Sequence, residues 1–258
     1  MSRVFINQID SYLGSILADC ICHTPIGSIR DEILNLHSED QVYNPELFYQ
    51  VSGTHCSTSL EDNISHDPQS PLDYNKLLPK ILEQDVVIYN ICDDINQILE
   101  AEFVVNTLHQ NLDKFLKPKT FILISTCLTW AKTRPVDPDE PDGVYTEDDY
   151  RMRRSHPSFK DHLALEKLVT KLGRTKKSLF STYVLCCGLI YGGGECILHF
   201  LFKQAWLGEF QGIQLPVFGN GQNTLPTIHV KDLVSIIINL VELHPKPRYF
   251  KVSFDFPN

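Results

Sequence analysis

Apolar residues in this chain follow two rhythms. Some fall in short, nearly unbroken runs: Val4–Ile6, Phe48–Ser52, Asp85–Ile91 (DVVIYNI), Thr120–Ser125 (TFILIS), Thr182–Ile190 and Tyr249–Phe254. Others recur every three or four residues, as at Ile98, Phe103, Val105, Leu108 and Leu112. The first rhythm predicts strands. The second predicts helices over Tyr12–Cys20, Leu77–Glu83, Ile95–Phe115, His162–Lys171, Ile197–Gly208 and Lys231–Leu243. Strands that are apolar throughout, rather than alternating, belong to a parallel sheet covered on both faces. The expected fold class is therefore α/β, a doubly wound parallel sheet with helices on both faces. Polar stretches at about Ser28–Asn44 and Leu60–Tyr74 read as loops. The expectation is a single domain, 1–258, with a core of 1–190 and 225–258 and a small C-terminal lobe at about 191–224.

The turn after the first run carries the first chemical information. Val4–Leu17 reads VFINQIDSYLGSIL, a strand, a turn and a helix start. Dinucleotide-binding turns of the Rossmann type place glycines there, for the tight turn, for approach of the pyrophosphate and for close helix packing. At GxxGxxG spacing the three positions are Gln8, Ser11 and Gly14. Gly14 alone keeps the packing role. A Cβ where φ must be positive costs about 1–2 kcal/mol, and the Gln8 side chain occupies space that a pyrophosphate needs. The turn thus argues for the Rossmann-like fold and against its usual ligand. No cofactor is expected, and NAD(P) is kept as the alternative.

Composition narrows the classes. The 258 residues carry a formal net charge of −9, so nucleic acid is excluded as an expected partner, since counterion release favours basic proteins. No apolar run approaches the ~18 residues of a membrane span, and the N-terminus lacks the parts of a secretory signal. The expected location is cytoplasmic. Eight cysteines are scattered among apolar segments without a CxxC pair, which predicts reduced, mostly buried thiols. Cys20-x-Cys22-His23 resembles a metal corner but lacks a second ligand pair at zinc spacing, so no metal is expected. Lys132–Tyr150 holds seven carboxylates and is followed by Arg151, Arg153 and Arg154. This segment reads as a solvated, salt-bridged edge or as a recognition loop for a protein partner.

Four further landmarks are similar to the extended short-chain dehydrogenase/reductase family. Asp85–Ile91 resembles its D-x-V-I-H-x-A strand. Ser125-Thr126-Cys127-Leu128-Thr129-Trp130-Ala131 resembles S-S-x-x-V-Y-G. Cys186–Gly192 (CCGLIYG) resembles R-P-G-L-V-Y-G, with Cys186 in place of the arginine. Phe218–Gly221 and Ile228–Asp232 resemble the family's G-D-G and h-V-x-D segments. In that family a tyrosine is the acid/base, a lysine four residues on lowers its pKa, and a Ser/Thr orients the substrate. A phenol of pKa near 10 works at neutral pH only beside a fixed cation. Aligning Glu166 with the last position of Y-x-x-x-K-x-x-x-E puts Ser158 at the tyrosine and His162 at the lysine. Thr126 takes the Ser/Thr position. Tyr150-x-x-x-Arg154 has a similar spacing but lies eight residues too early. His162 is expected on the helix surface, and Tyr191 is expected to pack at a strand end. No catalytic residue is expected, since Thr126, Ser158 and His162 are positional equivalents of a lost triad. The alternative is an active NAD(P)-dependent reductase or epimerase with a site rewired through Tyr150, His162 or Tyr191. Retained nucleotide binding without chemistry is a third reading.

SHPSFKDHLALEKLV, HFLFKQAWLGE and LPVFGNGQNTLPTIHVKDL are also similar to the region ahead of the kinase domain in the long ciliary adenylate kinases. That resemblance implies a structural or interaction role in the axoneme of cilia or flagella, with protein partners engaged through a segment such as Pro135–Arg154. The sequence contains no G-x-x-x-x-G-K phosphate loop; Gly192-Gly193-Gly194-Glu195 lacks the lysine. Phosphotransfer is not expected of these 258 residues.

Overall fold

The computed structural model describes residues 2–29, 45–56, 74–135, 145–194, 198–211, 217, 219–221 and 225–253. Six strands form one parallel sheet: β1 (Arg3–Ile6), β2 (Gln50–Gly53), β3 (Val86–Asn90), β4 (Lys119–Thr126), β5 (Phe180–Cys187) and β8 (Tyr249–Val252), in the order β2-β1-β3-β4-β5-β8. Every pairing is parallel, with Val4 opposite both Val51 and Val86, Val87 opposite Phe121, and Ile124 opposite Leu185.

The helices are α1 (Tyr12–Cys22), α2 (Tyr74–Glu83), α3 (Gln97–Gln110), α4 (Lys160–Leu172), α5 (His199–Gln211) and α6 (Val230–Leu243). Leu13, Leu17 and Ile21 of α1 pack with Leu233, Ile237 and Leu240 of α6 on one face, against Ile6, Ile88, Ile122 and Leu185. Ile81 of α2, Ala101 and Val105 of α3, and Leu165 and Val169 of α4 cover the other face, against Phe5, Val87, Phe121 and Val184. Alternate side chains of each strand thus enter different cores, which is why the strands read as unbroken apolar runs. Burying each such Val, Leu or Phe contributes about 1.5–3 kcal/mol.

Several elements differ from expectation in extent. The long helix predicted to Phe115 ends at Gln110, because Asn111 leads into a separate short turn, Leu112–Lys114. The run Thr182–Ile190 is two strands. At Gly188 the main chain donates to Val252 O (3.0 Å), and Leu189 N donates to Pro226 O (2.8 Å). The chain thereby leaves the main sheet, and β6 (Leu189–Tyr191) pairs with β7 (Thr227–His229) in a separate two-stranded sheet. Only β6 was foreshadowed, as the tail of that apolar run; β7 had no run of its own to announce it. The predicted loop over Leu60–Tyr74 lies outside the described residues except Tyr74, which opens α2.

Candidate functional site

Sheet order reverses between β1 and β3. In doubly wound sheets such a reversal opens a crevice at the carboxyl ends of the strands, where ligands bind. Here the floor of that crevice is a buried amide network. Asn7, 1% exposed, donates through Nδ2 to Asn90 O and to Gln97 Oε1 (both 2.9 Å) and accepts from Asn90 N (2.7 Å). The ends of β1 and β3 and the start of α3 are held as one unit.

Gln8 forms the mouth. Its φ is +46°, in the left-handed region, so the turn keeps a backbone suited to glycine while carrying a side chain. Gln8 N donates to Thr54 Oγ1 (3.0 Å), and Gln8 Nε2 donates to Asp94 Oδ2 (2.8 Å). The side chain spans from the β1 turn to the loop between β3 and α3. Ser11 departs from the expected strain: its backbone is extended (φ −70°, ψ 167°), and its Oγ caps α1 by accepting from Gly14 N (3.1 Å). Gly14 is required by close approach, since a Cβ there would lie 2.1 Å from Gln8 O.

Two other segments close on the turn. Ile9 N donates to Thr54 O (2.7 Å) and Cys56 N donates to Asp10 Oδ1 (2.7 Å), fastening the turn to the chain just after β2. The bond from Cys56 N is the main cause lowering the pKa of Asp10. From the opposite side, Tyr12 at the start of α1 donates its hydroxyl to Gly192 O (2.5 Å). Gly192 has φ +98°, and a Cβ there would lie 2.3 Å from His229 Nε2. The backbone after β6 can therefore reach the first turn of α1 only with glycine at this place.

The residues aligned with the catalytic triad do not assemble. Thr126, at the end of β4, caps the short turn Cys127–Trp130 by accepting from Leu128 N (3.3 Å). Ser158 is exposed, in the turn Pro157–Phe159, and its N–H donates to His156 Nδ1 (3.3 Å). His162 is not a surface residue. It is 3% exposed, with Phe159 beside its ring at 4.9 Å. Its Nε2 lies 3.0 Å from Ile91 O, which places the proton on Nε2, and its Nδ1 is buried without a hydrogen-bond partner. Burial lowers its pKa, opposed by the bond to Ile91, so the ring is neutral where the family's lysine would be charged. Tyr191 stands edge-on to His229 (5.2 Å, 80°), as a packing residue at a strand end.

One turn beyond His162, Glu166 is fully buried. It accepts from Ser125 Oγ (2.6 Å) and from Arg153 Nε (2.9 Å). Burial raises its pKa against the attraction of Arg153. Arg153 is thus a core residue, with Tyr249 4.6 Å from its guanidinium, and not part of a solvated, salt-bridged edge. The Tyr150-x-x-x-Arg154 spacing also dissolves. Tyr150 stacks on Tyr249 (5.2 Å) and accepts from Arg174 and Arg151 through its hydroxyl. Arg154 is exposed and donates its main-chain N–H to Thr133 Oγ1. The carboxylates Asp137, Asp139, Glu140 and Asp142 lie outside the described residues.

Of the thiols, Cys186 and Cys187 are buried, whereas Cys20, Cys22, Cys56, Cys92 and Cys127 are half-buried, fewer in the core than expected; Cys196 lies outside the described residues. Burial pushes the Cys186 thiol up to about 12. The suspected metal corner contributes Cys22 and His23, joined by Asp19 rather than Cys20, with ligand atoms within 4.8 Å of one another on the surface. Among the described residues no helix is long and apolar enough to cross a membrane.

The arrangement matches solved structures closely in shape. The chain superposes over 98% of its length on 76% of dTDP-glucose 4,6-dehydratase from Bacillus anthracis in complex with NAD, with a TM-score of 0.61 and 14% identity. It superposes over 97% of its length on 74% of a human epimerase family protein with NADPH, with a TM-score of 0.57 and 15% identity. The fold is that of the extended short-chain dehydrogenases and epimerases. In sequence, the chain is 48% identical to mouse adenylate kinase 7 over 168 residues, 65% of this chain and 27% of that protein. It is 52% identical to adenylate kinase 7 of Macaca fascicularis over 84 residues, 33% of this chain and 15% of that protein. The chain therefore spans about a quarter or less of the curated relatives it matches. No family model matches.

Proposed function

We propose that this chain is a dinucleotide fold without dehydrogenase chemistry, serving as a protein-interaction module within an adenylate kinase 7-like protein of motile cilia or flagella. One observation carries this reading: the Gln8 amide bonded to Asp94 across the crevice mouth, on the turn where a pyrophosphate would have to approach main-chain N–H groups. The bond between Tyr12 and Gly192 narrows the same opening from the other side. The acid and its cation are replaced by an exposed serine and a buried neutral histidine. The ciliary setting rests on the likeness to adenylate kinase 7, and the partner surface is assigned to Pro135–Arg154 with Arg153 excepted, because that side chain is committed to Glu166.

The test is ligand-dependent melting with NAD(H), NADP(H), ATP and AMP added separately. A ligand present at about 100 times its Kd stabilises by about 2.7 kcal/mol, so binding is readily seen. No shift is expected. A micromolar Kd for any NAD(P) form overturns the reading in favour of a rewired reductase, and a shift with ATP or AMP alone favours a nucleotide sensor. Replacing Asp137, Asp139, Glu140 and Asp142 with Ser tests the partner surface: axonemal retention should fall with the melting temperature unchanged.

A further inference from the structure

The chain is acidic overall, yet one flank is strongly basic. Arg151, Arg153, Lys167, Lys171 and Arg174 line a hollow of about 370 Å³ that also includes Tyr150 and Thr170. A second hollow of about 540 Å³ shares Tyr150, Thr170 and Arg174, and adds Lys177, Lys246 and Arg248. The carboxylates on these walls are Glu147 and Asp148. Two of the cations have a local explanation, because Lys171 and Arg174 lie at the carboxyl end of α4, where the helix dipole favours positive charge. Lys246 and Arg248 come from the approach to β8, and Arg151 from the turn Glu147–Arg151. Separate elements have converged like charges.

Arg153 is paired with Glu166, but most of the other cations have no carboxylate partner among the described residues. Among the described residues, Lys167, Lys171, Arg174, Lys177, Lys246 and Arg248 take part in no ion pair. Guanidinium groups of Arg151, Arg153 and Arg174 stand 5.5–6.0 Å from the Tyr150 ring. Two guanidinium nitrogens are buried without an acceptor: Arg153 Nη2 and Arg248 Nη1. A buried donor left unmatched is unfavourable; although Arg153 is paired with Glu166 through Nε and Arg248 lies over the Tyr183 ring, each keeps one N–H available to an acceptor in these adjoining basic hollows.

We propose that this flank binds a phosphoryl group, free or carried on a peptide side chain. A carboxylate satisfies one guanidinium fork. A phosphoryl group offers three acceptor oxygens and up to two charges, which suits several arginines converging on a small volume. The inference is independent of the crevice at Gln8, since it uses none of the same residues.

The experiment is calorimetric titration of the whole chain, at constant ionic strength, with pyrophosphate, a short phosphoserine peptide, and the serine and glutamate versions of that peptide. The exposed pair Arg174→Ala/Lys246→Ala tests the site without disturbing the core, with Lys171→Ala as a second variant and Arg3→Ala as a remote control. Pyrophosphate, the phosphopeptide or both should bind, with affinity falling about tenfold or more in the double variant and unchanged in Arg3→Ala. Tighter binding of one probe identifies the source of the group. Binding by none of the probes, equal binding to the double variant, or equal affinity for the glutamate peptide overturns the proposal.

Discussion

The crevice mouth and the basic flank pose opposite electrostatic problems, and the chain answers them differently. At the mouth, polar groups that could face a ligand are bonded to one another: Asn7 to Asn90 and Gln97, Gln8 to Thr54 and Asp94, Tyr12 to Gly192. At the flank, cations gather with no carboxylate partner among the described residues except at Arg153, and two buried donors lack acceptors. A ligand site whose polar groups satisfy each other has little left to gain from a ligand. One whose groups are left wanting has much. Under the two proposals, a fold that binds at its strand ends in other proteins gives up that capacity here while an unrelated face becomes receptive.

The comparison breaks most sharply at Glu166, the residue that keeps Arg153 from joining the flank as a free cation. Glu166→Ala leaves a buried guanidinium without its carboxylate and should cost about 3–5 kcal/mol, measured by urea unfolding. Restoring part of the pairing in Arg153→Lys should cost less, because lysine keeps the charge but loses the fork. Next is Gly14→Ala. Its Cβ would collide with Gln8 O, so the turn must shift, at about 1–3 kcal/mol, despite the better helix propensity of alanine.

The histidine at the lysine position gives a pH test. Burial depresses the pKa of His162 below its ordinary 6.5. The unfolded chain then binds a proton that the folded chain does not, so its contribution is present above about 6.5 and is lost as pH falls toward the folded pKa. Stability measured against pH should decline in that window, and His162→Gln should flatten the decline. Absence of any difference between the two profiles would place the titration elsewhere. Smallest is Gln8→Gly. It relieves a left-handed side chain worth about 1–2 kcal/mol but forfeits the bond to Asp94 and adds chain entropy, so net stability should move by less than about 1 kcal/mol. NAD(P) turnover should not appear, since Ser158 and His162 are untouched.

The sheet was legible because burial on both faces writes itself into unbroken apolar runs, as in β3 and β4. Gln8 and Gly14 were legible because the turn's geometry constrains what each position can hold. His162 was not: a polar residue in the first turn of a helix reads as exposed, and it is held by Ile91 O, just past the end of β3 and 71 positions away. Arg153 was misread for a related reason. It sits in a basic cluster that follows an acidic stretch, whereas its partner, Glu166, lies on α4. Asn90 and Asp94 gave no local signal, being an ordinary strand-end residue and an ordinary loop residue until the fold brings them against the β1 turn. The split at Gly188 was hidden inside a single apolar run, since both strands it separates are apolar.

The outer limits of the main sheet have a consequence for solution behaviour. Its inner strands β4 and β5 are eight residues long, while the two at the margins, β2 and β8, are four each. Four residues expose about 13 Å of unmatched main chain, and β8 places Lys251 within that length. Short margins, one of them carrying a lysine, are poor templates for strand addition between molecules. The brevity of its edges is therefore what limits edge-to-edge pairing of two copies of this sheet.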